Sequence, residues 1–315
     1  MHPSPRLLAV VSSALSLSTA ALAQTPGLVD RAAVRPERPP VSAPPPPAAP
    51  GGAIPSEALP SPGDDDLGSQ FLLKRTERAR LFFLGGNLGA FWTDNAQRLD
   101  EGGDEDFYYS ASLGFGAQLP IAQGWMIDAS VIEEFYRYDD HDELDFESTE
   151  ATVGVIKSLP WLENFLVAGR YLYRRYTDGD WSEDTYYRHG LSLALQKTFL
   201  IDRKNSVYAA LTGDWELEAD PSLLRRHEYS LQTGYDFRLT HEVTLSAFYR
   251  FAYRDYTDGP LDEFNHIAGL AATWQVAEWA RLELSGVWTF NDSDSDLLDY
   301  QAGSLGCGLN LRATF

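Results

Sequence analysis

The run Ser304-Leu305-Gly306-Cys307-Gly308-Leu309-Asn310-Leu311-Arg312-Ala313-Thr314-Phe315 decides how this chain is read. Leu305, Cys307, Leu309, Leu311, Ala313 and Phe315 share one parity; Ser304, Gly306, Gly308, Asn310, Arg312 and Thr314 share the other. Side chains alternate across a strand with a period of two. One apolar face and one small or polar face, held over a dozen residues, therefore read as a β-strand with lipid on one side and a polar interior on the other.

Working outward, the same alternation recurs back to residue 80, with an amphipathic run and a turn about every 20 residues. Twelve runs are predicted, at 81–93, 107–119, 124–138, 146–158, 164–176, 185–199, 206–218, 226–239, 242–256, 264–276, 280–291 and 300–315. In the second, Tyr109, Ala111, Leu113, Phe115, Ala117 and Leu119 oppose Ser110, Ser112, Gly114, Gly116 and Gln118. In the ninth, Val243, Leu245, Ala247, Tyr249, Phe251 and Tyr253 oppose Thr244, Ser246, Phe248, Arg250, Ala252 and Arg254. A soluble two-sheet sandwich also alternates. It rarely sustains twelve strands this long with Tyr, Trp and Phe set at the ends of the apolar face. The joints at 120–123, 159–163, 200–205, 240–241 and 277–279 are short, whereas those at 94–106, 139–145, 177–184, 219–225, 257–263 and 292–299 are more often long and nearly all acidic. Short periplasmic turns, longer outer loops and an even strand count put both termini in the periplasm. The expected fold is all-β: a transmembrane antiparallel up-and-down β-barrel of about twelve strands, residues 80–315. The fourth run is its weak member, because Phe146 is out of phase with Ala151, Val153 and Val155, and a bulge or a shortened strand is expected there.

Upstream, Arg6, the apolar and small-residue run 7–21 and Ala21-Leu22-Ala23 read as a secretory signal peptide over residues 1–23, too short for a membrane helix. No Cys follows the cleavage site, which argues against a lipoprotein anchor. Residues 24–79 are rich in Pro, Ala, Gly and Ser around Pro44-Pro45-Pro46-Pro47 and are expected to form a disordered periplasmic linker. No later stretch has the roughly 18 uninterrupted apolar residues of a membrane helix. Without residues 1–23 the chain has 24 bases against 46 acids, a net charge of −22, which argues against nucleic-acid binding. Cys307 is the sole cysteine, so no intramolecular disulfide forms, and its apolar face makes it a small hydrophobe.

The predicted inner face carries both signs of charge. Arg170, Arg174, Arg188, Arg250, Arg254 and Arg312 point inward with Glu134, Glu150, Asp214, Glu216, Glu228, Asp236 and Glu283. Arginine suits two-pronged binding of carboxylates and phosphates. A basic wall facing an acidic one selects anionic or sugar solutes; the alternative is that the charges pair across a narrow barrel and fill it. Strand ends such as Phe135-Tyr136-Arg137-Tyr138, Tyr173-Arg174-Arg175-Tyr176 and Tyr253-Arg254-Asp255-Tyr256 read as an interfacial aromatic girdle. Acidic loop clusters, Asp139, Asp140, Asp142, Glu143 and Asp145 or Asp292, Asp294, Asp296 and Asp299, offer oxygen ligands to divalent cations but match no defined calcium loop. His189 and His266 fall on predicted outward faces and His227 near a strand end, without a nearby Ser and a third orienting residue. No catalytic residues, cofactor or resident metal are expected.

With its leader, Gly89-Ala90-Phe91-Trp92-Thr93-Asp94-Asn95 closing the first strand, its repeated strands and terminal Phe315, the chain resembles the loosely related outer-membrane barrel porins, including those encoded with exopolysaccharide-synthesis genes. The last strand with Phe315 likewise resembles the signal read by the barrel-assembly machinery. The resemblance implies an outer-membrane location among lipid and lipopolysaccharide. Two roles follow as expectations: a porin-like channel for small polar solutes or oligosaccharides, or a structural or export-accessory barrel with a plugged lumen. A lipid hydrolase is the weaker third.

Overall fold

The computed structural model describes residues 81–162, 165–179, 184–258, 261–296 and 298–315; the expected signal peptide and linker lie outside them. Twelve strands follow in chain order: β1 Phe82–Thr93, β2 Asp106–Ala122, β3 Trp125–Tyr138, β4 Phe146–Leu159, β5 Phe165–Asp178, β6 Asp184–Leu200, β7 Asn205–Asp220, β8 Arg226–Arg238, β9 Val243–Tyr256, β10 Asp262–Ala277, β11 Ala280–Ser293 and β12 Tyr300–Thr314. Each pairs antiparallel with its neighbours in sequence, and β12 closes on β1 from Phe83↔Thr314 to Thr93↔Ser304. Closure leaves no unpaired edge, a condition for crossing a bilayer with strands.

The exterior is what a water-soluble barrel could not tolerate. Leu113 is 59 % exposed and Leu270 67 %, and the outward parity of nearly every strand adds others, among them Leu88, Val131, Leu211, Leu284 and Leu305. Apolar surface on this scale implies an apolar solvent. The fold is thus a transmembrane β-barrel. No helix among the described residues is long and apolar enough to cross a membrane.

The start of β1, the end of β12 and the short turns occupy one end, here the terminus end; the remaining joints occupy the loop end. Strands run further than the alternation predicts, so that β10 starts at Asp262 and β7 reaches Asp220, and most loop-end joints shrink accordingly. Single-turn 3-10 segments at Asp142–Leu144 and Ser222–Leu224 bury Leu144 and Leu224. Register shifts occur at 120/122, 176/177, 189/190 and 275/277. None lies in β3–β4, where pairing runs unbroken from Trp125↔Lys157 to Tyr136↔Phe146, nor is β4 shortened. The bulge expected from Phe146 is therefore absent: Phe146 shares the inward parity of Ser148 and Glu150, and its ring stacks on Tyr136 at 4.4 Å. An aromatic residue with an aromatic partner is as well placed inside the barrel as in lipid.

Candidate functional site

At the loop end the interior divides into an aromatic half and an ionic half. Inward residues of β1 to β6 build a chain of rings: Phe91 on Tyr108 at 5.2 Å, Tyr108 on Tyr138 at 5.3 Å, Tyr136 on Phe146, then Phe146 to Tyr176 at 6.1 Å and Tyr176 to Tyr186 at 5.7 Å. Tyr136, Tyr138, Tyr176 and Tyr256 had the girdle reading, yet all four are buried, while Phe135 and Tyr253 take the outward parity. Consecutive aromatic residues on a strand cannot share a face, so each tetrapeptide splits between membrane and interior.

The ionic half is held by β6 to β11. Glu228 of β8 receives Arg250 and, at 3.0 Å, Arg254 Nε of β9. Arg254 Nη1 also reaches Glu263 of β10 at 3.1 Å, and Arg226 stands 4.0 Å from Glu228 and 3.9 Å from Glu263. The Tyr256 hydroxyl donates to Glu263 at 3.1 Å and accepts from Arg226 at 2.8 Å. Asn265 donates to Asn291 at 3.1 Å. Glu216 binds Arg188 and accepts the Arg226 backbone N–H at 3.0 Å. Such a network is favourable only when its members are mutually satisfied, since each charge has left water.

The remaining sequence-predicted residues are spread around the barrel. Arg174 pairs with Glu150 on the adjacent strand, and Arg170 reaches Asp128 of β3 at 2.9 Å. Glu134 is buried and faces inward from β3. Asp214 bonds Ser192 of β6, and Asp236 accepts from Ser246 of β9 at 2.7 Å. Arg312 lies over the Phe83 ring, 5.0 Å from its centre. Glu283 has no ion pair among the described residues. Phe315 stacks on Phe82 at 6.1 Å beside the β1–β12 seam. These ion pairs run laterally between nearby strands. Arg226 and Glu263 escaped the sequence reading. The parity of Glu228 would have found Arg226, whereas Glu263 lay just outside the predicted tenth strand.

Toward the terminus end the wall of β12, β1 and β2 is built of Gly, Ser and Asn, with Asn87 donating to Asn310 at 2.8 Å. Nearer the loop end Phe91 packs on Gly306 of β12, where a Cβ would come within 2.2 Å of its ring. Toward the terminus end Tyr208 covers Gly234 of β8, where a Cβ would come within 2.3 Å of the ring. Rings pressed against glycine backbone take little room from the lumen.

Outside the lumen, His189 meets Glu218 at 3.0 Å and His266 meets the Tyr249 hydroxyl at 2.7 Å; among the described residues neither ring bonds a serine. Nor do three or more His, Cys, Asp or Glu side chains converge as metal ligands among the described residues. In the loops, His141 Nδ1 lies 3.0 Å from Asp106, which together with Glu143 and Asp104 raises its pKa above the ordinary histidine value.

No protein-family model matches the chain, and no curated protein sequence matches it. Among solved structures it is similar to an outer-membrane channel from Pseudomonas putida, with a TM-score of 0.53 at 10 % identity over 76 % of this chain and 97 % of that one. It is also similar to the NanC porin, TM-score 0.43, and to the KdgM porin in complex with disordered oligogalacturonate, TM-score 0.41. Both of these are 9 % identical, over 72 % of this chain and 98 % of the other. At such identity the likeness is one of fold, and the fold it supports is that of an outer-membrane β-barrel.

Proposed function

We propose that this barrel is a porin-like outer-membrane channel for small polar solutes or oligosaccharides, without enzymatic activity. One observation carries the reading: the interior arginines are paired along the wall, Arg174 with Glu150, Arg188 with Glu216 and Arg250 with Glu228, each on an adjacent strand. Lateral pairing holds these cations in fixed positions facing the lumen without bridging it, the arrangement that selects among hydrated solutes. The rings packed on Gly306 and Gly234 support the same conclusion.

A second reading, an accessory barrel for exopolysaccharide export or envelope organisation, is favoured by one feature. Leu224 and Leu261 from the loop end pack into one cluster with Tyr136, Phe146, Tyr176, Tyr186 and Tyr256, strands from both sides of the barrel. Such a cluster narrows the outer mouth. Conductance of the purified chain in planar bilayers decides between the two. A steady open pore whose ion selectivity shifts with Arg250→Glu supports the channel. Silence from a correctly folded barrel supports the accessory role.

A further inference from the structure

We propose that the lumen passes small cations in preference to anions and that Glu283 of β11 sets this preference; the inference deepens the channel reading and rests on it. Glu283 faces inward between Thr273 of β10 and Gly308 of β12, with Gly89 of β1 beyond. It is part exposed, neither of its oxygens is shut off from water, and it has no hydrogen bond or ion pair among the described residues. Neighbours this small leave the carboxylate standing in the lumen.

Elsewhere in the lumen Glu150, Glu216, Glu228 and Glu263 each hold an arginine, and Asp128 holds Arg170 at 2.9 Å. Such a pair shows a passing ion a dipole, in which the two charges largely cancel; Glu283 shows it a whole charge. The bases nearest to Glu283 are turned away from it. Arg281, two residues before it on the same face, donates through Nε to Gln275 at 2.7 Å. Arg312, on β12, lies over the Phe83 ring. Both arginines are exposed toward the terminus end, where salt screens them. Asp236 of β8 adds charge of the same sign, because its partner Ser246 is neutral. An uncompensated carboxylate on a pore wall raises the local concentration of cations and lowers that of anions.

The test is the reversal potential of the full chain in planar bilayers under a potassium chloride gradient, which reports the ratio of potassium to chloride permeability. The unaltered pore is expected to favour potassium. A unit charge about 7 Å from an ion in water, screened by about 0.1 M salt, favours a cation over an anion roughly threefold. Glu283→Gln should lower the ratio by that factor, and by more at lower salt, while Glu283→Asp stays close to the unaltered pore. Glutamine keeps the volume and has no partner to lose, so heat-modifiable gel migration should remain that of a folded barrel. The acidic loops also attract cations, so Glu278→Gln supplies the control: it makes the same charge change at an exposed position in the turn between β10 and β11, and should leave the ratio where it was. An unaltered pore that favours chloride overturns the proposal, as does a ratio unmoved by Glu283→Gln or moved equally by Glu278→Gln. In each of these results the pore is open and the channel reading stands. Silence from a folded barrel overturns both, so the two failures are told apart.

Discussion

Replacing Arg254 by methionine tests the ionic half of the interior most directly. Its guanidinium serves two carboxylates, Glu228 at 3.0 Å and Glu263 at 3.1 Å, and its side chain and that of Glu263 are each 1 % exposed. Glu228 keeps Arg250 when Arg254 is gone. Glu263 is left with Arg226 at 3.9 Å and the Tyr256 hydroxyl at 3.1 Å. Removing one member of a buried pair costs about 3–5 kcal/mol because the other stays buried and charged. The partial compensation at Glu228 places Arg254→Met near the lower end, about 3 kcal/mol. Glu263→Gln in the same chain removes the stranded charge, so the double variant should recover part of the loss, a coupling of about 1–3 kcal/mol. Urea unfolding in lipid vesicles, followed by tryptophan fluorescence and by heat-modifiable migration, measures all three variants. A cost for Arg254→Met below about 1 kcal/mol, or single changes that add to within about 0.5 kcal/mol, refutes the network as described.

Phe146→Ala should cost about 3–5 kcal/mol by opening a cavity in the aromatic half, whereas Leu270→Ala on the lipid face, 67 % exposed, should cost far less in the same unfolding assay; equal costs would contradict the inward placement of Phe146. Gly306→Ala must displace both the Phe91 ring and the Ala90 carbonyl, for which overpacking values of about 1–3 kcal/mol are expected. A Cβ at Gly169 meets nothing within 4 Å, so Gly169→Ala should fold and unfold like the unaltered barrel. The raised pKa of His141 means that folding favours its protonated form. Its contribution is therefore complete below the ordinary histidine value and is lost as pH rises through the raised one. Hydrogen exchange at the Asp140 amide, which donates to Asp106 at 3.2 Å, should lose protection over that window once corrected for intrinsic rates, and His141→Gln should abolish the dependence. A protection factor indifferent to pH in the unaltered chain would refute the contact.

The alternation around Leu305 to Phe315 determined the architecture. Period two, sustained over twelve runs with polar joints, admits few solutions once the apolar face is too large for water. Strand number, the inward parity of Arg250, Arg254 and Glu228, and the common end at which β1 starts and β12 finishes were all legible, because each depends on local sequence alone. What failed was local in a different way. Phe146 and the paired tyrosines were read by residue type, as if aromatic side chains belong to the membrane, when parity already placed them inside.

Only the closed sheet decided the partners. Arg254 is separated from Glu228 by 26 residues and becomes its neighbour through the β8–β9 register, and Glu263 joins them because β10 begins two residues before its apolar face. The apolar cleft on the outer face over β2 to β4 is likewise invisible in the chain: Ala117 stands beside Ala129, and Ala151 sits one row nearer the loop end opposite Val131, through the pairing of three adjacent strands. A period of two states which face a side chain occupies; which residues meet on that face is fixed by register, a property of strand pairs and not of any one strand.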